Sequence, residues 1–280
     1  MHPELERLQR DYGWQPEAVA TPDSDVNLWL TPQSLGSTTA YSDATWKEMD
    51  ALLDDSWWYH TRNLIIQRAL MSCAVEGAIW DVGGGSGVVA RFLNDQGITA
   101  LGVEPTRAGA LLAARRGVTS FCCSLDDLKL PDNSISAIAM FDVLEHIQHR
   151  DDVLREIRRV IQPTGYLILT LPALQMLWSQ FDVDGGHFLR YNRRTIRLEL
   201  EENGFVIRQL GYFFALTVLP LVLLRAIPYR LGRRKSIGSE TSLAASGGFI
   251  GTIAGWIERR VAMRSPFGSS LLVVAQKPIE

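Results

Sequence analysis

Four glycines fall within five positions, Gly83, Gly84, Gly85 and Gly87, between the apolar run AIWDV (78–82) and the segment GVVARFLNDQ (87–96). Glycine tolerates a left-handed backbone and carries no Cβ, so a turn of this kind lets a ligand lie against the main chain. Two acids bracket it. Asp81 can order the turn or accept a hydrogen bond from a cationic amine. Glu104 ends the next apolar run, ITALGVE (98–104), where a carboxylate can accept from two ribose hydroxyls. The plainer alternatives are a tight turn packed on a helix and a solvated acid at a strand end. The dinucleotide pattern G-x-G-x-x-G/A is met by Gly85, Gly87 and Ala90, so these residues alone leave a nicotinamide cofactor open.

A second group of reactive side chains stands in DVDGGHFLRYNRRT (182–195). His187 can take a proton from a hydroxyl and Arg190 can pair with an anionic acceptor. Equally, the run can cap the following helix and bury Tyr191. The three cysteines, with Cys122 and Cys123 adjacent, form neither a disulfide framework nor a zinc-ligand spacing, and no metal site is expected.

The elements around these groups alternate. Strands are predicted at 78–82, 98–104, 118–123, 135–142, 165–171, 205–212 and 269–278. Helices are predicted over 57–70, 87–96, 106–116, 150–161 and 193–203, the last stopping at Asn203-Gly204. Apolar strands alternating with helices make a mostly parallel sheet covered on both faces, a doubly wound α/β fold that binds ligands beyond the strand C-termini. Residues 1–56 are polar and turn-rich and show no strand alternation.

The 280 residues are 46% apolar and 21% charged, and the net charge of −3 argues against a nucleic-acid partner. The opening MHPELERLQRDYGW lacks the apolar core of a secretion signal, which leads us to expect a cytoplasmic setting.

Taken together, IWDVGGGSGVVARFL, ALGVEPT and SAIAMFDVLEHIQHRDDVLREIRRVIQPTGYLILTLP resemble the class I S-adenosylmethionine-dependent methyltransferases, in motif order and in spacing. The resemblance covers roughly 57–212 and the last strand. It implies a Rossmann-like seven-stranded sheet and S-adenosylmethionine as cofactor. It places Gly83, Gly84, Gly85 and Gly87 under the methionine part with Asp81 near its amino end, Glu104 and the following Pro105 at the ribose, and Ser124 and Leu125 beside adenine. Ser124 stands where the family usually has aspartate. Phe141 and Asp142 would face the transferred methyl, while Glu145 and His146 would brace the next loop. GH-x-x-R-Y and WWYHTRN (57–63) are similar to segments in a bacterial subset of the family. There Arg62 would pair with the cofactor carboxylate and Trp57 and Trp58 would form a lid, unless the tryptophans are core. Methyl transfer is an in-line displacement that needs alignment, and a base only where the acceptor carries a proton; His187, Arg190 and Tyr191 are the candidates.

The largest departure is an insertion before the last strand. The chain divides into an extension (1–56), the cofactor-binding core (57–212 with 269–280) and an apolar, basic helical insertion (213–268). GYFFALTVLPLVLL (211–224) carries no charge, but as a helix it would reach only about 21 Å, short of the roughly 30 Å hydrocarbon core. Residues 211–264 hold eight basic and two acidic residues, a local charge of +6, leaving −9 for the remainder. Apolar residues beside concentrated cations suit an anionic lipid surface or a cover over an apolar acceptor; a buried hairpin with a solvated basic face is the third possibility. The function expected is methyl transfer to a small-molecule or lipid-linked acceptor, at oxygen in preference to carbon or nitrogen. A nicotinamide-type oxidoreductase and a non-catalytic, membrane-associated cofactor binder are the rivals.

Overall fold

The computed structural model describes residues 2–23, 26–32, 56–233 and 248–279. Its centre is a sheet formed by β1 (Thr21–Pro22), β2 (Leu28–Leu30), β3 (Ile79–Val82), β4 (Ala100–Val103), β5 (Ser120–Cys122), β6 (Ile135–Phe141), β7 (Ile161–Pro172), β8 (Val206–Phe213) and β9 (Ser270–Gln276). The spatial order is β1-β2-β5-β4-β3-β6-β7-β9-β8. From β2 to β7 every pairing is parallel, and β9 lies antiparallel between β7 and β8. β3, β4 and β6 are buried at every position. That burial explains their unbroken apolar runs, since both faces are covered.

One face is packed by α1 (Pro3–Tyr12), then α5 and α7, and the other by α2, α3 and α4. Their ranges are α2 (Trp57–Leu70), α3 (Val88–Asp95), α4 (Arg107–Arg115), α5 (Arg150–Val160), a short α6 (Gln180–Asp184) and α7 (Arg193–Glu202). Leu5, Leu8, Leu154, Ile157, Ile196 and Leu200 join Trp80 and Met140 in the first core layer. Ile65, Ile66, Val89, Leu93 and Ala113 join Ile79 and Ile168 in the second.

The sheet has nine strands among the described residues, not seven. The two extra strands come from the N-terminal segment, whose sequence shows no strand alternation. β2 is three residues long, too short for alternation to register, yet it pairs in parallel with β5. α1 starts on Pro3 with the His2 imidazole accepting from the Glu4 amide, and it ends on Gly13 at φ +69°. Trp14 then donates its indole N–H to the Leu128 carbonyl and sits edge-on to Trp80 and Phe121. Residues 33–55 of that extension lie outside the described part.

The insertion folds as α8 (Val218–Leu221), a π-helical turn (Val222–Ala226), α9 (Ile227–Arg230) and, after residues outside the described part that include Arg234 and Lys235, α10 (Gly248–Val261). Large apolar residues of α10 are turned outward. Ile253 and Trp256 of α10 are about half exposed, whereas the side facing the core is built from Gly251, Gly255 and Glu258. Small residues are required there: a Cβ on Gly251 would come within 2.8 Å of the Trp57 ring, and one on Gly255 within 2.4 Å of Thr61 Oγ1. Glu258, fully buried, accepts from the amides of Ala215 and Leu216, tying α10 to the chain that leads into α8. Among the described residues no helix is long and apolar enough to cross a membrane.

Candidate active site

β3 delivers Asp81 to the C-terminal edge of the sheet, where the ladder runs one step further through Gly83 N–H to the Val103 carbonyl at 2.7 Å. The glycine turn then folds back on the protein itself. Gly83 and Gly87 have φ of +74° and +75°, and an added Cβ would come within 2.6 Å of Val143 Cγ1 and 2.7 Å of Ala113 Cβ, respectively. Clearance for a ligand, the reason the sequence suggests, is thus not the first demand on these two positions; close packing on β6's loop and on α4 is. Gly84 is different, because its Cβ would sit 2.9 Å from Asp81 Oδ2. Its missing side chain leaves room over the Asp81 carboxylate.

That carboxylate is 1% exposed and neither oxygen has a hydrogen-bond partner. Burial pushes its pKa up to about 7, against the pull of Arg62, while Glu104 adds to the rise. Glu104 is also buried and raised by desolvation, but it is partly compensated. One oxygen accepts from Gly85 N–H at 2.9 Å and the other from Thr106 N–H at 2.8 Å. A carboxylate has about four acceptor positions, so two hydroxyl donors can still be received. Chemically, this side has acceptor positions suited to a cation at Asp81 and to hydroxyl donors at Glu104.

The neighbouring loop is less committed. Ser124 is exposed and spends both its amide and its hydroxyl on Asp127 Oδ2, at 3.1 and 2.7 Å. Leu125 is buried behind it and Pro105 is exposed after Glu104.

On the opposite side, β6 ends at Phe141 and Asp142 adopts φ +57°, a left-handed conformation that aspartate tolerates better than most residues with a side chain. Asp142 Oδ2 accepts from Arg62 Nη2 at 2.5 Å, and the same nitrogen donates to Thr170 Oγ1 at 3.2 Å. Arg62 is 4% exposed and lies under the rings of Trp58, Tyr59 and Phe141. Its Nη2 group therefore braces Asp142 and β7. Trp57 and Trp58 are half-buried and both pack on Phe214 beyond the end of β8.

The GH-x-x-R-Y run wraps around one fully buried acid that sequence reasoning does not single out, Asp182. Asp182 Oδ1 meets His187 Nδ1 at 3.0 Å and accepts from Arg190 Nε at 2.7 Å, while Oδ2 accepts from Ser179 N–H at 2.9 Å. Burial alone would raise the Asp182 pKa, but His187 and Arg190 outweigh it and hold it low. Arg190 also donates from Nη1 to the Ala173 carbonyl at 3.2 Å, so Nε and Nη1 are both engaged within the protein. Tyr191 is fully buried, and burial pushes its hydroxyl pKa up. It belongs to the core, the plainer of its two readings, and not to the catalytic groups. The His187 side chain is 10% exposed, and its ring stands edge-on to that of His146, centroids 4.5 Å apart. Burial and His187 lower the His146 pKa to about 4, which keeps that ring neutral.

A methyltransferase-domain family model matches residues 58–210, more than half of the chain. The chain belongs to that family, the class I S-adenosylmethionine-dependent methyltransferases, whose cofactor is S-adenosylmethionine. Among curated relatives, a probable S-adenosylmethionine-dependent methyltransferase of Mycolicibacterium smegmatis is 24% identical over 45% of this chain and 49% of its own length. An uncharacterized methyltransferase of Mycobacterium avium is 28% identical over 52% of this chain and 56% of its own. The chain thus spans about half the length of the curated relatives it matches. Among solved structures, a phosphoethanolamine N-methyltransferase of Haemonchus contortus in complex with S-adenosyl-L-methionine is 19% identical. It superposes with a TM-score of 0.58 over 86% of this chain and 58% of its own. A geranyl diphosphate C-methyltransferase of Streptomyces coelicolor is 15% identical and superposes with a TM-score of 0.52 over 99% of this chain and 93% of its own. At these identities the likeness is one of fold.

Proposed function

We infer that this chain transfers a methyl group from S-adenosylmethionine to a hydroxyl oxygen of a small-molecule or lipid-linked acceptor. When bound, the cofactor supplies an electrophilic methyl on a sulfonium. In our reading Asp81 receives its ammonium group over Gly84, and Glu104 receives the ribose hydroxyls. Gly83, Gly85 and Gly87 form the floor, Pro105, Ser124 and Leu125 flank the adenine, and Phe141 and Asp142 border the methyl. The observation that carries the donor half is the buried Asp81 carboxylate with no partner of its own. Such a group is costly unless a cation completes it, and the sulfonium donor brings an ammonium group. The acceptor half rests on His187. Asp182 holds its Nδ1, so the ring has a fixed orientation and its Nε2 is left to take a hydroxyl proton as the oxygen attacks. Arg62, one link further away, fixes Asp142.

The insertion has the properties of an interfacial cover. Leu219, Leu223, Leu231 and Trp256 are each half exposed or more, and Arg259, Arg260 and Arg264 lie exposed on or just beyond α10. Arg225 stacks over Phe181 at 4.9 Å and Arg230 donates to the Met176 carbonyl at 2.9 Å, which joins this segment to α6, the helix carrying Asp182, and to the chain before it. In our reading it rests on an anionic lipid surface, on the inner face of the membrane, and presents the acceptor to the site. Incubating the protein with isotope-labelled methyl donor and a lipid and small-molecule extract tests the activity. A labelled product released as an ether or ester supports it; S-adenosylhomocysteine binding without any labelled product sinks it. Flotation with anionic vesicles tests the cover, and binding no different from that to neutral vesicles refutes it.

A further inference from the structure

Glu145, His146 and His187 place one carboxylate oxygen and two imidazole nitrogens within 4.8 Å of one another. Nothing in the mechanism above uses the carboxylate. Glu145 is fully buried and neither of its oxygens has a hydrogen-bond partner, although it is directed at two polar rings. A buried carboxylate in that state is costly until a proton or a cation completes it.

One of the rings is held from behind in a way that suits a cation. His187 Nδ1 lies 3.0 Å from Asp182 Oδ1, which leaves Nε2 as its ligand atom. Asp182 thus fixes the orientation of the His187 imidazole, whose ring stands edge-on to that of His146. Metal-bound histidines have this second contact as a rule, to a carboxylate or a backbone carbonyl. The spacing must tighten to make a coordination sphere. Ligand atoms at roughly 2.1 Å from a tetrahedral ion stand about 3.4 Å apart, so a pair 4.8 Å apart closes by about 1.4 Å when the ion binds.

We propose that Glu145, His146 and His187 bind a divalent first-row transition-metal ion through two imidazole nitrogens and one carboxylate. The ligand set suits zinc, manganese, iron(II) or cobalt(II) rather than calcium, which takes an all-oxygen shell. Three protein ligands leave coordination positions open. An acceptor hydroxyl taking one of them becomes more acidic and loses its proton to water. This deepens the methyltransferase reading, on which it rests. The Nε2 that would take the proton directly holds instead the ion that acidifies it, and the acceptor class narrows to compounds whose hydroxyl can ligate a metal.

The full chain, stripped with a chelator and titrated with Co²⁺ alone, tests this by visible ligand-field absorption. Saturation at one ion per chain is expected. Glu145→Gln and His187→Asn should each weaken it by roughly a hundredfold, while the exposed His149→Ala should leave it unchanged. If Glu145→Gln fails to fold, His187→Asn decides the matter alone, because that side chain, unlike Glu145, is not fully buried. No saturable Co²⁺ signal, or one untouched by these substitutions, overturns the metal site. S-adenosylhomocysteine calorimetry on the same samples reads the donor side separately. Metal binding without nucleoside binding would sink the methyltransferase reading and leave the metal site standing.

Discussion

The two halves of the site are made in different ways. On the donor side, one continuous stretch from Asp81 to Gly87 and the acid at the end of the next strand do almost everything, through backbone shape and two buried carboxylates. On the acceptor side, Arg62, Asp142, His146, Asp182, His187 and Arg190 come from three separate segments and act through side-chain pairs. The difference teaches that a backbone cradle can be written in a few adjacent letters, whereas a side-chain network needs the fold to assemble it. The two halves should therefore fail differently when damaged.

Asp182→Ala should produce the largest effect. It leaves Arg190 and the Ser179 amide without their buried partner and frees the His187 ring. Breaking a buried charged pair by removing one partner costs about 3–5 kcal/mol, which urea unfolding would read directly. Residual methyl transfer in the folded fraction should drop by about a hundredfold. S-adenosylhomocysteine affinity should stay within about twofold of wild type. Equal losses of donor binding and turnover would erase the division between the halves.

Gly87→Val should come next and hit the donor side. It places a branched side chain at φ +75° and drives it into Ala113. Left-handed strain and overpacking together should cost about 2–4 kcal/mol and abolish nucleoside binding. Gly97→Ala, also at positive φ but with nothing within 4 Å of the added Cβ, should cost only about 1 kcal/mol. A similar cost at both positions would mean that α4 gives way and that the close packing is immaterial.

How much of this is legible in the sequence follows the same division. Strands β3 to β9 and the helices between them announce themselves through long apolar runs, and Asp81, Glu104 and the glycines through adjacency. Tyr191 and Arg190 look reactive in the sequence because a polar tip in a motif says nothing about which way it points, and burial decides it. Asp182 escapes notice because an acid five residues before a histidine looks like surface until the chain turns back on itself. His146 and His187 are forty-one positions apart and meet only in three dimensions. The short strands β1 and β2 have too few residues to show a period at all.

Asp81 allows a subtler separation of the halves, by pH. Its carboxyl titrates near 7 in the folded protein, well above its ordinary value of 3.8. A folded-state pKa raised in this way stabilises the protein below the unfolded value, and that contribution is lost as pH rises through about 7. The unliganded protein should therefore lose stability between about pH 4 and pH 7, and Asp81→Asn should flatten that slope. Binding of an ammonium-bearing nucleoside selects the ionised form and has the opposite sign. Calorimetry should find S-adenosylhomocysteine affinity rising by up to about tenfold per pH unit below pH 7 and levelling off above it. A flat profile in wild type would remove Asp81 from the cofactor site. Turnover would titrate with the acceptor side in addition.

The smallest effect on the molecule itself belongs to the insertion. Leu219 and Leu223 lie one helical turn apart, 65% and 53% exposed, and make no part of either core layer. Replacing both by serine should change stability by no more than about 0.5 kcal/mol and leave S-adenosylhomocysteine affinity and metal titration unaltered. If the segment lies on lipid, the same pair removes apolar area that would otherwise be buried in the interface, and flotation with anionic vesicles should fall by roughly tenfold or more. High salt should reduce wild-type flotation too, because the neighbouring arginines supply the other part of the attraction. Unchanged flotation after the double substitution would reassign the apolar surface to something other than a bilayer. A fall in stability instead would mean that these leucines are covered by protein and that the insertion belongs with the core.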